Sequence, residues 1–277
     1  MADLGIQKIN PNKALWEKGD FTRIAETMRE SGEELVASLG IEPGIYVLDV
    51  GCGDGTTALP AAKLGANVLG VDIASNLVAA GNDRARAAGL TNLRFAEGDA
   101  SNLSGILSDT YDLVVTLFGA MFAPRPFDVA KELVRVTKPG GRIVMGNWIP
   151  GDPTLVAQIL KISAAYTPPP PEGFVSPMTW GDQGKVRERF EAAGIAPANI
   201  GFEQRTWHFR GDGPPTGLLD TFRRFYGPTM NAFEAASKDF RERELAQELS
   251  KLFFAQNKGG ERTVIPATFL KVTVTKG

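Results

Sequence analysis

The chain is poor in the residues that carry most side-chain chemistry. Of its 277 residues one is cysteine, Cys52, and one is histidine, His208. A lone thiol excludes an intramolecular disulfide and a cysteine-based metal cluster. No His/Asp/Glu cluster stands at ligand spacing, so no metal is expected. Long apolar runs are missing too. The longest, "LVVTLFGAMFA" from Leu113 to Ala123, falls far short of the ~20 residues of a membrane span. The opening "MADLGIQKINPNK" has no apolar core of signal-peptide length. Charge of one sign is nowhere massed. The net charge is −2, and basic residues such as Arg84 and Arg86 or Arg223 and Arg224 are scattered, which does not suggest a nucleic-acid partner. Together these absences point to a cytoplasmic protein without a membrane span, and they leave its oligomeric state open.

What is present is an ordinary globular composition, 43% hydrophobic and 22% charged. From about Ile45 strands alternate with helices. "IYVLDV" reads as a buried strand, "TTALPAAKLG" as a short helix, "NVLGVD" as a second strand and "ASNLVAAGNDRARAAG" as a helix stopped by Gly89. "LRFAEGD" and "YDLVVTLF" are further strands, "DVAKELVRVT" a helix, Pro139-Gly140-Gly141 a turn and "RIVMGNW" a fifth strand. This alternation predicts a parallel sheet covered on both faces. After Trp148 come a short helix, a proline tract, another helix, the strand "NIGFEQRTWHFRG", a mostly helical insert, and a last strand with an interruption at Pro266. The first forty residues are amphipathic helical material. Asp20 stands where an N-cap would, and Phe21 opens the helix. The core from Ile45 onward is expected to be complete without them.

The stretch "VLDVGCGDG", Val47 to Gly55, carries the chemistry. A strand runs into three glycines at alternate positions and then into a helix. No lysine follows Gly55, which excludes a Walker phosphate loop. The spacing is G-x-G-x-G, with Thr56 where a dinucleotide fingerprint wants its third glycine or alanine. A nucleoside without phosphates remains.

At these residues the chain resembles the class I S-adenosylmethionine-dependent methyltransferases, and most closely the small-molecule branch that includes quinone-biosynthesis methyltransferases. The match runs from about Ile45 to Trp148 through "VLDVGCGDG", "GVD", "AEGDA", "YDLVVTLFGAMF" and "LVRVTKPGGRIVMGNW". The resemblance implies an α/β fold. Its Rossmann-like, doubly wound, mostly parallel sheet has seven strands, the last antiparallel. An N-terminal helical lid over residues 1–44 would precede a methyltransferase domain over 45–277, with cap insertions at about 149–180 and 212–260. It implies S-adenosylmethionine as cofactor and S-adenosylhomocysteine as product. The cofactor would lie against Asp49, Gly51, Cys52, Gly53, Asp72, Ile73, Asp99, Ala100, Thr116 and Leu117. Asp72 would take the two ribose hydroxyls, and Asp99 with the Ala100 N–H would take adenine. Gly51 and Gly53 would let backbone touch the methionine part, and Asp49 would help hold its ammonium. Phe21 in the lid would approach the sulfonium. Cys52 reads as a small packed residue rather than a reactive thiol.

Methyl transfer from a sulfonium is an in-line displacement, which needs orientation and a dry site more than a base. Catalytic residues are therefore hard to read. His208 and Tyr226 are the candidates, with a structural role the favoured reading of His208. The many aromatics of the lid and caps suggest a small, partly apolar or aromatic acceptor. The motifs equally allow a protein that binds S-adenosylmethionine without transferring its methyl, as a sensor or partner subunit.

Overall fold

Alternate side chains of the buried strands leave opposite faces of one sheet, and that parity organises the molecule. The structure, a computed structural model, describes residues 12–277, so the first eleven residues of the expected lid lie outside the described residues. The strands are β1 (Tyr46–Val50), β2 (Asn67–Asp72), β3 (Leu93–Glu97), β4 (Tyr111–Leu117), β5 (Thr137–Trp148), β6 (Ile200–Gly211) and β7 (Thr263–Thr275). Val47, Val68, Leu113, Val115 and Val144 pack into one apolar core, and Leu48, Val50, Leu69, Val114, Ile143 and Met145 into the other. Continuous aliphatic strands are thus explained: both faces are covered.

The seven strands run in the order β3-β2-β1-β4-β5-β7-β6. β1 to β5 pair in parallel, while β7 is antiparallel to both β5 and β6. The helices before the sheet are α1 (Lys13–Glu17), α2 (Phe21–Glu26) and α3 (Arg29–Ala37). Those between the parallel strands are α4 (Ala58–Lys63), α5 (Ser75–Ala87) and α6 (Pro126–Val136). Later come α7 (Leu155–Ala164), α8 (Gln183–Ala192), α9 (Pro215–Phe225), α10 (Gly227–Lys238) and α11 (Glu242–Gln256).

Three expectations need correction. The Pro139-Gly140-Gly141 turn is part of β5, because Gly140 N–H donates to Lys276 O at 2.7 Å and Lys276 N–H to Gly141 O at 3.0 Å. Pro266 does not interrupt β7. It pairs with His208 of β6, and β5 begins to flank β7 only at Phe269, so the missing N–H faces no strand. The N-terminal segment is not dispensable to the core, since Ile24, Met28 and Leu35 are buried in the larger cluster. Asp20 does cap α2, accepting from Thr22 N–H at 3.2 Å. The helical run then breaks at Thr27, whose hydroxyl donates to Ile24 O at 2.6 Å and whose carbonyl accepts Arg210 N–H at 2.9 Å from edge strand β6.

The strand order reverses between β1 and β4, where an open α/β sheet has its ligand crevice. Gly51 after β1 and Gly119 after β4 meet there backbone to backbone. A Cβ on Gly119 would lie 2.4 Å from Gly51 O and 2.6 Å from its Cα. Overpacking of this kind costs about 1–3 kcal/mol. Gly119→Ala is predicted to lose that much in urea denaturation. Gly105→Ala, where a Cβ would meet nothing within 4 Å, should stay within about 0.5 kcal/mol of the parent.

Candidate active site

A crevice opens over the carboxyl ends of β1, β2 and β4. Its floor is the glycine loop. Gly51, Gly53 and Gly55 all have positive φ, but they serve different ends. A Cβ on Gly51 would strike the Gly119 backbone, and one on Gly55 would strike Leu59 and Phe95. Only at Gly53 would it project into the crevice, with Phe21 Cδ1 4.0 Å away as its one neighbour. Of the two glycines expected to let backbone approach a ligand, Gly51 is packed against the Gly119 backbone and Gly53 leaves open space.

Three buried carboxylates surround this loop. Asp72, at the end of β2, accepts Gly53 N–H at 2.8 Å and Ala74 N–H at 2.9 Å. Burial raises its carboxyl above the ordinary aspartate value, and these N–H groups oppose the rise. Asp54, 2% exposed, is paired with Arg29 of α3 and lies 3.5 Å from Arg84 of α5. Arg29 also donates to Thr56 Oγ1 at 2.7 Å, so the N-terminal segment is bolted to the loop. Asp49 lies beneath. The Thr57 hydroxyl donates to its Oδ2, while its Oδ1 is buried with no partner among the described residues. Burial pushes Asp49 up to about 7, with the Thr57 hydrogen bond opposing.

The crevice brings together Phe21, Gly51, Cys52, Gly53, Asp72, Ile73, Asp99, Ala100 and Leu117. Asp49 and Thr116 are not on its surface. Thr116 turns inward, its hydroxyl accepting Ala120 N–H at 3.0 Å. Burial, first of all, holds the Cys52 thiol well above its usual range, with Asp49 and Asp72 adding to the shift. That leaves it a poor nucleophile. Trp16, Phe21, Ala25 and Met28 of the N-terminal segment form the roof. Glu17 ties that roof to α5, accepting the Ser75 hydroxyl at 2.7 Å.

His208 does not line the crevice; its neighbour Trp207 does. Strand parity puts the two on opposite faces of β6, and the His208 backbone is held by Ser31 Oγ, which accepts its N–H at 3.0 Å. Tyr226 sits deeper, buried between α9 and α10, and burial pushes its hydroxyl far above the ordinary tyrosine value. Sequence reasoning missed Trp207, whose buried indole N–H has no partner among the described residues. Parity along "RTWHFRG" was the available signal. Phe118 takes a left-handed backbone, φ 61°, and stacks on Trp148 with centroids 3.7 Å apart. So costly a conformation for an aromatic residue marks a position held by its surroundings. No group of three or more His, Cys, Asp or Glu among the described residues could hold a metal, and no helix is long and apolar enough to cross a membrane.

A family model of methyltransferase domains matches residues 48–145, from within β1 into β5. An uncharacterized protein of Mycobacterium tuberculosis is 33% identical over 225 residues, 81% of this chain and 80% of its own length. A demethylmenaquinone methyltransferase of Bacillus cytotoxicus is 36% identical over 116 residues, 40% of this chain and 48% of that one. The chain belongs to the class I S-adenosylmethionine-dependent methyltransferases. This methyltransferase also shares its fold with phosphoethanolamine N-methyltransferase 2 of Haemonchus contortus, solved in complex with S-adenosyl-L-methionine. The TM-score is 0.61 at 14% identity, over 99% of this chain and 61% of that one. Membership decides for the enzyme over a non-transferring binder, and S-adenosylmethionine is its cofactor.

The buried Asp49 gives the methyltransferase a pH signature. Its value is about 7 in the folded state against an ordinary 3.8, so the folded chain holds a proton that the unfolded chain releases. The resulting stability is fully present below about pH 4 and is lost as pH rises through 7. Between pH 5 and 7 the unfolding free energy should fall by up to ~1.4 kcal/mol per pH unit from this group. Asp49→Asn should remove that part of the slope in urea titrations across the range. Parallel slopes for the two proteins would show that Asp49 stays ionised.

Proposed function

We propose that the crevice holds S-adenosylmethionine between the glycine loop and the N-terminal roof, and that the enzyme methylates a small, partly apolar or aromatic acceptor. The carrying observation is that one crevice gathers Gly53, Asp72, Asp99 and Ala100 from the carboxyl ends of the neighbouring strands β1, β2 and β3, beside the switch point. Asp72 keeps lone pairs free beside its two N–H bonds and accepts from both ribose hydroxyls. Asp99 and the Ala100 N–H address adenine. Gly53 lets backbone reach the methionine part, and the orphaned Oδ1 of Asp49, which lies beneath the crevice surface, serves the ammonium through water. Bound in this way, the cofactor supplies an electrophilic methyl group carried on a sulfonium.

The chain's own contribution is position and dryness. Trp16 and Phe21, in edge contact at 5.7 Å, cover the crevice and offer ring faces to a cation. In this reading residues 1–44 are a lid on a domain over 45–277, with caps at about 149–180 and 212–260. The scattered basic residues support a small molecule over a nucleic acid, and the lone buried thiol suits a reducing cytoplasm.

Asp72→Ala should weaken S-adenosylhomocysteine binding by about 1.5–3 kcal/mol in calorimetry, the scale of charged hydrogen bonds. It should also lower the melting temperature, because Gly53 and Ala74 lose their acceptor. Unchanged affinity in the folded variant would refute the ribose role. His208→Gln should keep at least about a tenth of parental methyl transfer from labelled cofactor to any acceptor found in a panel of phenols, quinones and amines. Loss of a general base costs about 10²–10⁴-fold. A fall of that size would make His208 catalytic.

A further inference from the structure

The crevice continues inward. Trp16, Phe21, Met28, Phe118 and Phe122 line it on one side and line a second, smaller chamber on the other. The inner wall of that chamber includes Trp148, Phe222 and Tyr226, and no charged side chain lines it. Among its lining residues Trp16, Trp148 and Tyr226 carry side-chain hydrogen-bond donors.

Tyr226 is the unusual member. It is 5% exposed, ringed by Phe222 at 5.2 Å, Trp16 at 6.1 Å and Phe21 at 6.3 Å between centroids. Its hydroxyl has no hydrogen-bond partner among the described residues, and its shift comes from burial alone. A hydroxyl with no protein acceptor has its proton free for a ligand. A buried donor in an otherwise apolar room fits a ligand that brings its own lone pair. The absence of any charged wall residue penalises a ligand bearing a carboxylate, phosphate or ammonium, which would shed its water without compensation. The ring faces favour a flat aromatic body.

We propose that this chamber is the acceptor subsite and that it selects compact, planar, uncharged aromatic molecules bearing an oxygen substituent on the ring, which Tyr226 holds by donating a hydrogen bond. The proposal rests on the crevice being the cofactor site. It makes Tyr226 an acceptor-binding donor rather than a base, since at neutral pH the phenol keeps its proton.

The test is calorimetry on the full chain saturated with S-adenosylhomocysteine, with 2-naphthol, naphthalene and 2-naphthoate as probes. The expected order is 2-naphthol, then naphthalene about tenfold weaker, with 2-naphthoate not binding. Tyr226→Phe should bring 2-naphthol down to the affinity of naphthalene while leaving S-adenosylhomocysteine affinity unchanged and the melting temperature no lower. Val156→Phe, which fills the chamber from α7, should abolish binding of both neutral probes with cofactor-product affinity intact. Equal 2-naphthol affinity in parent and Tyr226→Phe, or 2-naphthoate binding as tightly as 2-naphthol, overturns the proposal and leaves the cofactor reading standing. If S-adenosylhomocysteine fails to bind the folded parent, the cofactor reading itself falls.

Discussion

Where the strand order reverses, the backbones after β1 and β4 touch, and the site depends on that contact. Gly51 and Gly119 leave no room for a single Cβ between them. Their approach turns the glycine loop outward so that Gly53 faces the crevice, and it directs the chain after β4 into Phe118, one of the five side chains that line both crevice and chamber. Only two residues without side chains can meet this closely. The general tendency of α/β sheets to bind ligands at their switch point becomes here a specific steric requirement.

Around the contact the molecule buries more negative charge than a core would choose. Asp49, Asp54 and Asp72 all lie within the loop's surroundings at 1% to 8% exposure. Each is compensated differently: Asp54 by arginines from α3 and α5, Asp72 by backbone N–H groups, Asp49 by one hydroxyl and a raised affinity for a proton. The Arg29–Asp54 pair has a second consequence. Removing one partner of a buried pair is costly, so the N-terminal segment is held onto the loop it covers. Roof and floor are therefore one assembly, reinforced by Ile24 and Met28 in the larger core.

The local rules were legible in the residues. Aliphatic runs named the parallel strands, glycine and proline named their ends, and the glycine loop with Asp72 and Asp99 at strand ends named the crevice. These depend on neighbours within a few positions, where backbone propensity and side-chain parity act. The PGG stretch and Pro266 misled because each is resolved by a distant partner: Lys276 carries β5 through the glycines, and the late start of β5 beside β7 spares the proline.

What the sequence by itself determined is the order of elements and the chemical character of the crevice floor. Tertiary structure alone decided that the N-terminal helices belong to the core, that Trp207 rather than His208 faces the crevice, and that Tyr226 stands unpartnered in an aromatic room. The physical reason is the range of the forces. Hydrogen-bonded strands and turns are specified by residues adjacent in the chain, whereas a cavity is bounded by side chains from α1, α2, the segment after β4, β5, β6, α7 and α9 whose meeting no local pattern encodes.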